Sequence, residues 1–97
     1  KGHVIILPKN HADNIFEISD EDASGIMLVA KKIASKVKNV FGCDGVNILQ
    51  NNGEAAGQTV FHFHVHVIPR YENDNIRIKW TQHEDIDIDS VYNELSK

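Results

Sequence analysis

Residues 57 to 70 read Gly-Gln-Thr-Val-Phe-His-Phe-His-Val-His-Val-Ile-Pro-Arg. From Val60 to Ile68 the side chains alternate. Val60, His62, His64, His66 and Ile68 share one parity, and Phe61, Phe63, Val65 and Val67 the other. Strict alternation of β-branched and aromatic residues predicts a strand over 60–68. Successive side chains of a strand point to opposite faces, so His62, His64 and His66 line one face at steps of ~6.7 Å. The other face is wholly apolar and is expected to pack on a helix. The plain explanation is a half-exposed strand that happens to carry histidines. Three imidazoles at consecutive same-face positions invite two sharper ones. Neutral imidazole is a common metal ligand, and it is also a nucleophile and proton carrier for chemistry at phosphorus. Spacing alone does not separate these two.

The flanks add to the pattern. Gly57-Gln58-Thr59 brings a glycine that lets backbone approach a ligand, then an amide and a hydroxyl that can donate to phosphate oxygens. Alone, such a triplet is usually a turn. Beside three same-face histidines it suggests an anion cradle, with Asn51 entering from the end of the preceding strand. That strand is predicted over Val46–Gln50, with residues 53 to 57 as a loop, so the two strands should pair antiparallel. Arg70 reads as a surface charge just past the strand end.

Upstream, Ser19 followed by acids at 20, 21 and 22 is a helix start. Ile26, Val29, Ala30, Ile33, Val37 and Val40 carry helical spacing to Phe41, and Gly42 is the stop. Met27 and Leu28 widen the apolar stripe, read first as core and second as a subunit contact. His3 to Leu7 is a continuous apolar run stopped by Pro8, expected to be a buried strand, and residues 8 to 11 a loop. Downstream, Ile76 to Trp80 reads as a short edge strand, and Asp89-Ser90 begins a short terminal helix. These elements predict an α+β domain: an antiparallel sheet with one long helix on one face, a short C-terminal helix, and the histidine face left open.

Composition bounds the partners. Ninety-seven residues make a single domain. A net charge of −4 without a basic stripe argues against a nucleic-acid partner. No apolar stretch is long enough to span a membrane, and no secretory leader pattern opens the chain. A lone Cys43 fits a reducing compartment, so the expected location is cytoplasmic.

His62-Phe63-His64-Val65-His66-Val67-Ile68 resembles the signature of the histidine triad (HIT) family at every position. Asn51 to Val60 and Pro69-Arg70 are similar to its bacterial branch and to related dinucleoside-polyphosphate hydrolases, and the opening Lys1 to His11 resembles the family's middle strand. The resemblance covers residues 1 to about 70. It implies hydrolysis or transfer at the α-phosphorus of a purine nucleotide, with His64 as nucleophile through a nucleotidyl-histidine intermediate. It further implies that His66 contacts the transferring phosphate and that His62 and His3 set tautomers behind it. Asn51, Gly57, Gln58 and Thr59 would bind substrate. It also implies a homodimer whose tail near Trp80 reaches the partner's cleft. Two other readings stand beside this one: a non-catalytic nucleotide-binding module, and a metal-dependent hydrolase using the histidine cluster.

Two departures from the family pattern set further expectations. No counterpart of the family's opening strand pair is present, so residues 1–97 are expected to form one HIT-like domain that is N-terminally incomplete. A bacterial subgroup holds structural zinc through two cysteines and two histidines. Here only His11 and His62 match, a partial site, and no cofactor is expected to be required for the chemistry.

Overall fold

The computed structural model describes residues 2–76 and 86–97. The elements run β1 (Val4–Ile6), α1 (Asp20–Phe41), β2 (Gly45–Leu49), a 3-10 turn (Glu54–Ala56), β3 (Val65–Arg70) and α2 (Ile88–Leu95). The strands form an antiparallel sheet in the order β1-β3-β2, so the histidine-bearing strand is central. With one long helix and a short C-terminal one, this is the α+β architecture expected.

α1 has the boundaries its caps dictate. Ser19 Oγ accepts the Asp22 N–H at 3.1 Å, satisfying a donor that the first turn leaves open. Asp20, Glu21 and Asp22 sit at the positive end of the helix dipole. Gly42 ends the helix in the left-handed region at φ 60°, its N–H bonded to the Lys38 carbonyl. Ile26 and Ala30 then pack with Ala12 against Phe63, Val65 and Val67, with Val4, Ile6, Ile18, Ile33, Ala34 and Val46 around them. From Phe63 to Val67 the apolar parity of the histidine stretch therefore faces the helix and the histidine parity faces away.

Several expectations need correction. Strand pairing begins at Val65, not at Val60. β1 ends at Ile6, just short of Pro8, which has no N–H for a ladder, and β2 ends opposite His66 at Leu49. The Phe63 N–H instead reaches the Ala12 carbonyl at 2.7 Å. The burial alternation outlasts the ladder by one step only: Phe63 is 3% exposed and Phe61 is 51% exposed. β1 is a three-residue half-buried edge, with Ile5 and Leu7 facing outward, rather than a buried strand. Met27 and Leu28 are exposed, as are Val29 and Val40, so they are not core. The loop before β3 contains the 3-10 turn. α2 starts earlier than expected, at Ile88, capped by Asp87, whose Oδ1 accepts the Ser90 N–H at 3.2 Å. Of the expected strand from Ile76 to Trp80, all but Ile76 lies outside the described residues.

Arg70 is not a loose surface charge. Its Nε and Nη2 each donate to the Asp74 carboxylate at 2.9 Å, and Nη1 donates to Asn47 Oδ1 at 2.6 Å. Hydrogen bonding from Arg70, then from the Tyr71 N–H, holds the Asp74 carboxyl far below the usual carboxylate range. This knot ties the end of β3 to β2 and to the turn that follows.

Candidate functional site

The site grows out of the start of β3. His66 lies on the central strand, paired with Ile5 on one side and Leu49 on the other, and projects away from α1. Its Nδ1 stands 3.0 Å from His3 Nε2, which β1 brings alongside. The His64 ring meets it edge to face, with centroids 4.9 Å apart. Burial, followed by the charges that His64 and His3 can carry, depresses the His66 pKa below the ordinary 6.5. Each of these causes favours the neutral ring.

His64 is oriented by the backbone. Its Nδ1 lies 2.7 Å from the carbonyl oxygen of His62. A carbonyl can only accept, so Nδ1 carries a proton, and in the neutral ring Nε2 then keeps the lone pair. The His62 carbonyl is open for this contact because the ladder has not yet begun. The departure from the expected strand thus has a chemical consequence.

On the far side, His62 meets a second pair of groups. His11 Nδ1 is 3.2 Å from His62 Nδ1, and His11 Nε2 lies 2.7 Å from Asp13 Oδ1. Two nitrogens bound to one tetrahedral zinc at about 2.0–2.1 Å would stand about 3.3 Å apart, so this pair has the spacing of half a zinc site. The carboxylate behind His11 is the usual outer partner of a metal-binding imidazole. His62 Nε2 is buried without a partner among the described residues. No cluster of three or more His, Cys, Asp or Glu suited to a metal ion occurs among those residues, which disfavours the arrangement in which His62, His64 and His66 jointly hold a catalytic ion.

The residues expected to bind substrate divide. Thr59 is exposed, and Gly57 is exposed with φ 93°, a conformation that favours glycine. A Cβ at Gly57 would lie 3.7 Å from Asn51 Nδ2, which places the Asn51 amide beside that turn. Gln58 differs from expectation. It is 1% exposed, and its Nε2 donates to the carbonyls of Asp13 and Val60 at 2.6 and 3.1 Å. Both amide hydrogens are engaged inside the fold, so none is left for a phosphate. Sequence reasoning also passed over Asp13 and Asn52. Asn52 Oδ1 accepts the Ile15 N–H at 2.7 Å, and its amide pairs with that of Gln50 at 2.6 and 2.7 Å. The alternating pattern carries no signal for either, because both act from loops.

Comparison with known proteins places this geometry among relatives. The profile described as HIT domain matches residues 1–73. The chain is 44% identical over 86 residues to the Bacillus subtilis protein called Protein hit, covering 88% of this chain and 59% of that one. It is 41% identical over 70 residues to adenosine 5'-monophosphoramidase hnt1 of Schizosaccharomyces pombe, covering 72% of this chain and 50% of the relative. Among solved structures, a HIT family protein from Bacillus anthracis superposes with a TM-score of 0.89 at 47% identity, covering 99% of this chain and 70% of the other. A zinc-bound histidine triad protein from Mycobacterium smegmatis gives 0.73 at 34% identity, covering 87% and 61%. The chain therefore spans little more than half the length of these two named relatives.

Proposed function

The chain belongs to the histidine triad (HIT) family, and from that premise we propose that it is a nucleotide hydrolase or transferase acting at the α-phosphorus of a purine nucleotide. Phosphoramidates and dinucleoside polyphosphates are the substrate classes in view. The observation that carries the reading is the 2.7 Å contact between His64 Nδ1 and the His62 carbonyl, which leaves Nε2 as a fixed nucleophile. In the first step Nε2 bonds to the α-phosphorus and the bond to the leaving group breaks, the leaving group taking its electron pair and a proton from the medium. In the second, water attacks the same phosphorus, loses a proton to the medium, and the P–N bond breaks with its electron pair returning to Nε2. His64 is restored and the mononucleotide is released. Neutral His66 touches the transferring phosphate, with His3 behind it, while Asn51, Gly57 and Thr59 hold phosphate and ribose oxygens. Most of the acceleration in such transfers comes from positioning and electrostatics.

Any zinc is structural in this scheme. His11 and His62 supply two ligands, with Asp13 steadying His11, and the ion would clamp the two segments together without touching phosphorus. The working unit is proposed to be a cytoplasmic homodimer, supported by the exposed apolar residues Met27 and Leu28 on α1. The named activity of the fission yeast relative supports adenosine phosphoramidates as the first substrates to try.

The test is incubation with adenosine phosphoramidates, diadenosine polyphosphates and nucleotide sugars, scored for mononucleotide release. His64→Asn should lower turnover by about 10⁴-fold or more while nucleotide binding stays within about tenfold. Quenched reactions of the native protein should contain an acid-labile nucleotidyl adduct. Substantial turnover by His64→Asn would dismiss the nucleophile, and binding without turnover in the native protein would leave a nucleotide-binding module.

A further inference from the structure

We infer that Gln58 is a positioning residue that sets the tautomer of His64 from a distance, touching no substrate. Its side chain joins three separate stretches of chain. Oε1 accepts the Gly53 N–H at 2.7 Å, while the Gln58 N–H returns to the Gly53 carbonyl at 3.1 Å, closing residues 53 to 58 into a ring. The turn inside that ring holds Gly57 at φ 93°, beside Asn51. Nε2 donates in two other directions, to the Asp13 carbonyl in the loop that carries His11 and to the Val60 carbonyl two residues before His62.

The consequence for His62 follows from what brackets it. On one side the Val60 carbonyl is held by Gln58. On the other the Phe63 N–H is held by Ala12 at 2.7 Å, and Ala12 is the neighbour of Asp13, which Gln58 also holds. The His62 peptide is thus anchored at both ends to one loop. Its carbonyl is aimed at His64 Nδ1 although no strand pairing fixes it. Without the Gln58 bonds, the 60–62 stretch is no longer tied to the loop carrying Ala12, and the Phe63–Ala12 bond alone is left to direct this carbonyl. His64 would then populate the other tautomer, in which Nε2 carries the proton and cannot attack. A side chain that only filled space here would need no donors, yet each polar atom of this amide meets a backbone group.

The kinetic arm of the test rests on the proposed function, whereas the tautomer arm does not. Gln58→Glu is nearly isosteric and keeps an acceptor for Gly53, but it presents oxygen to two carbonyls. Two readouts are taken on protein shown by urea titration to be folded: the ¹⁵N shifts of the His64 ring, and kcat and KM with an adenosine phosphoramidate. The native protein should show a single Nδ1-protonated His64. In Gln58→Glu the shifts should move to a mixture of tautomers, and kcat should fall about 30–100-fold with KM within about threefold, the scale of loss expected from misplacing a reacting group. Should Gln58→Glu not fold, Gln58→Met, which loses every polar contact but keeps the volume, gives the same two readouts. A folded variant with the native tautomer and kcat within twofold of native would overturn the inference, as would a native His64 protonated at Nε2. If the native protein turns over no nucleotide, the proposed function fails and the tautomer arm alone decides the role of Gln58.

Discussion

Phe61 and Phe63 have the same side chain and the same strand parity, so they offer a direct test of where β3 begins. Phe63 is 3% exposed in the core between the sheet and α1, whereas Phe61 is 51% exposed. Truncating a fully buried phenylalanine to alanine removes its transfer energy and leaves a cavity, together about 3–5 kcal/mol. A half-exposed phenylalanine contributes about half of a ~1.5–3 kcal/mol burial term and leaves no enclosed cavity, so Phe61→Ala should cost about 1 kcal/mol. With urea slopes of roughly 1–3 kcal/mol/M for small domains, Phe63→Ala should lower the midpoint by about 2 M and Phe61→Ala by well under 1 M. Urea denaturation at one fixed protomer concentration, followed by far-UV circular dichroism, measures both. The slope should be unchanged in each variant. Equal losses at the two positions would mean that the alternating stretch packs as one continuous strand from Val60, and the open His62 carbonyl would lose its explanation.

Three other outcomes follow from the site and the surface. Because burial lowers the His66 pKa, the unfolded chain takes up a proton at this residue before the folded protein does. The stability that this difference protects is complete above pH 6.5 and is lost as the pH falls from there through the folded pKa. Turnover should decline on the same acid side, and a His66→Asn variant should lose that stability component in pH-dependent urea titrations. Stripping metal with a chelator should leave the chemical step intact, with kcat within about twofold in protein that remains folded; loss of the step would return the metal-hydrolase reading. Sedimentation equilibrium at micromolar concentration should give a dimer mass, with Met27→Glu and Leu28→Glu shifting it toward monomer. A native monomer would refute the assembly, and a dimer indifferent to both charges would move the interface off this face of α1.

What was legible in the sequence follows how local each signal is. The ends of α1 were readable because Ser19 and Gly42 satisfy backbone groups within a few residues of themselves. The antiparallel pairing of β2 with β3 was readable from alternation and a short connection. The start of β3 was not, because a strand exists only where a neighbour pairs with it, and β1 and β2 both end by Val65 and His66. Met27 and Leu28 show the same limit: helical periodicity reports which residues are apolar, not how much of the stripe the sheet covers. Gln58 was misassigned for a related reason. A glutamine beside a glycine reads as a ligand donor until the Asp13 carbonyl, distant in sequence, is seen beneath it.

The strand boundary between His64 and His66 also divides the site by rigidity. His66 belongs to a ladder closed on both sides, and backbone of that kind opens only at free energies approaching those of global unfolding. His62 and His64 lie before the ladder, held by separate loop hydrogen bonds rather than by strand pairing on both sides. Amide hydrogen exchange should resolve the two as a slow class and a fast class only two residues apart. In the proposed cycle, which would first bond phosphorus to His64 and then free it, the attacking ring is carried on backbone outside the ladder. The ring that must keep its place is carried on stiff backbone.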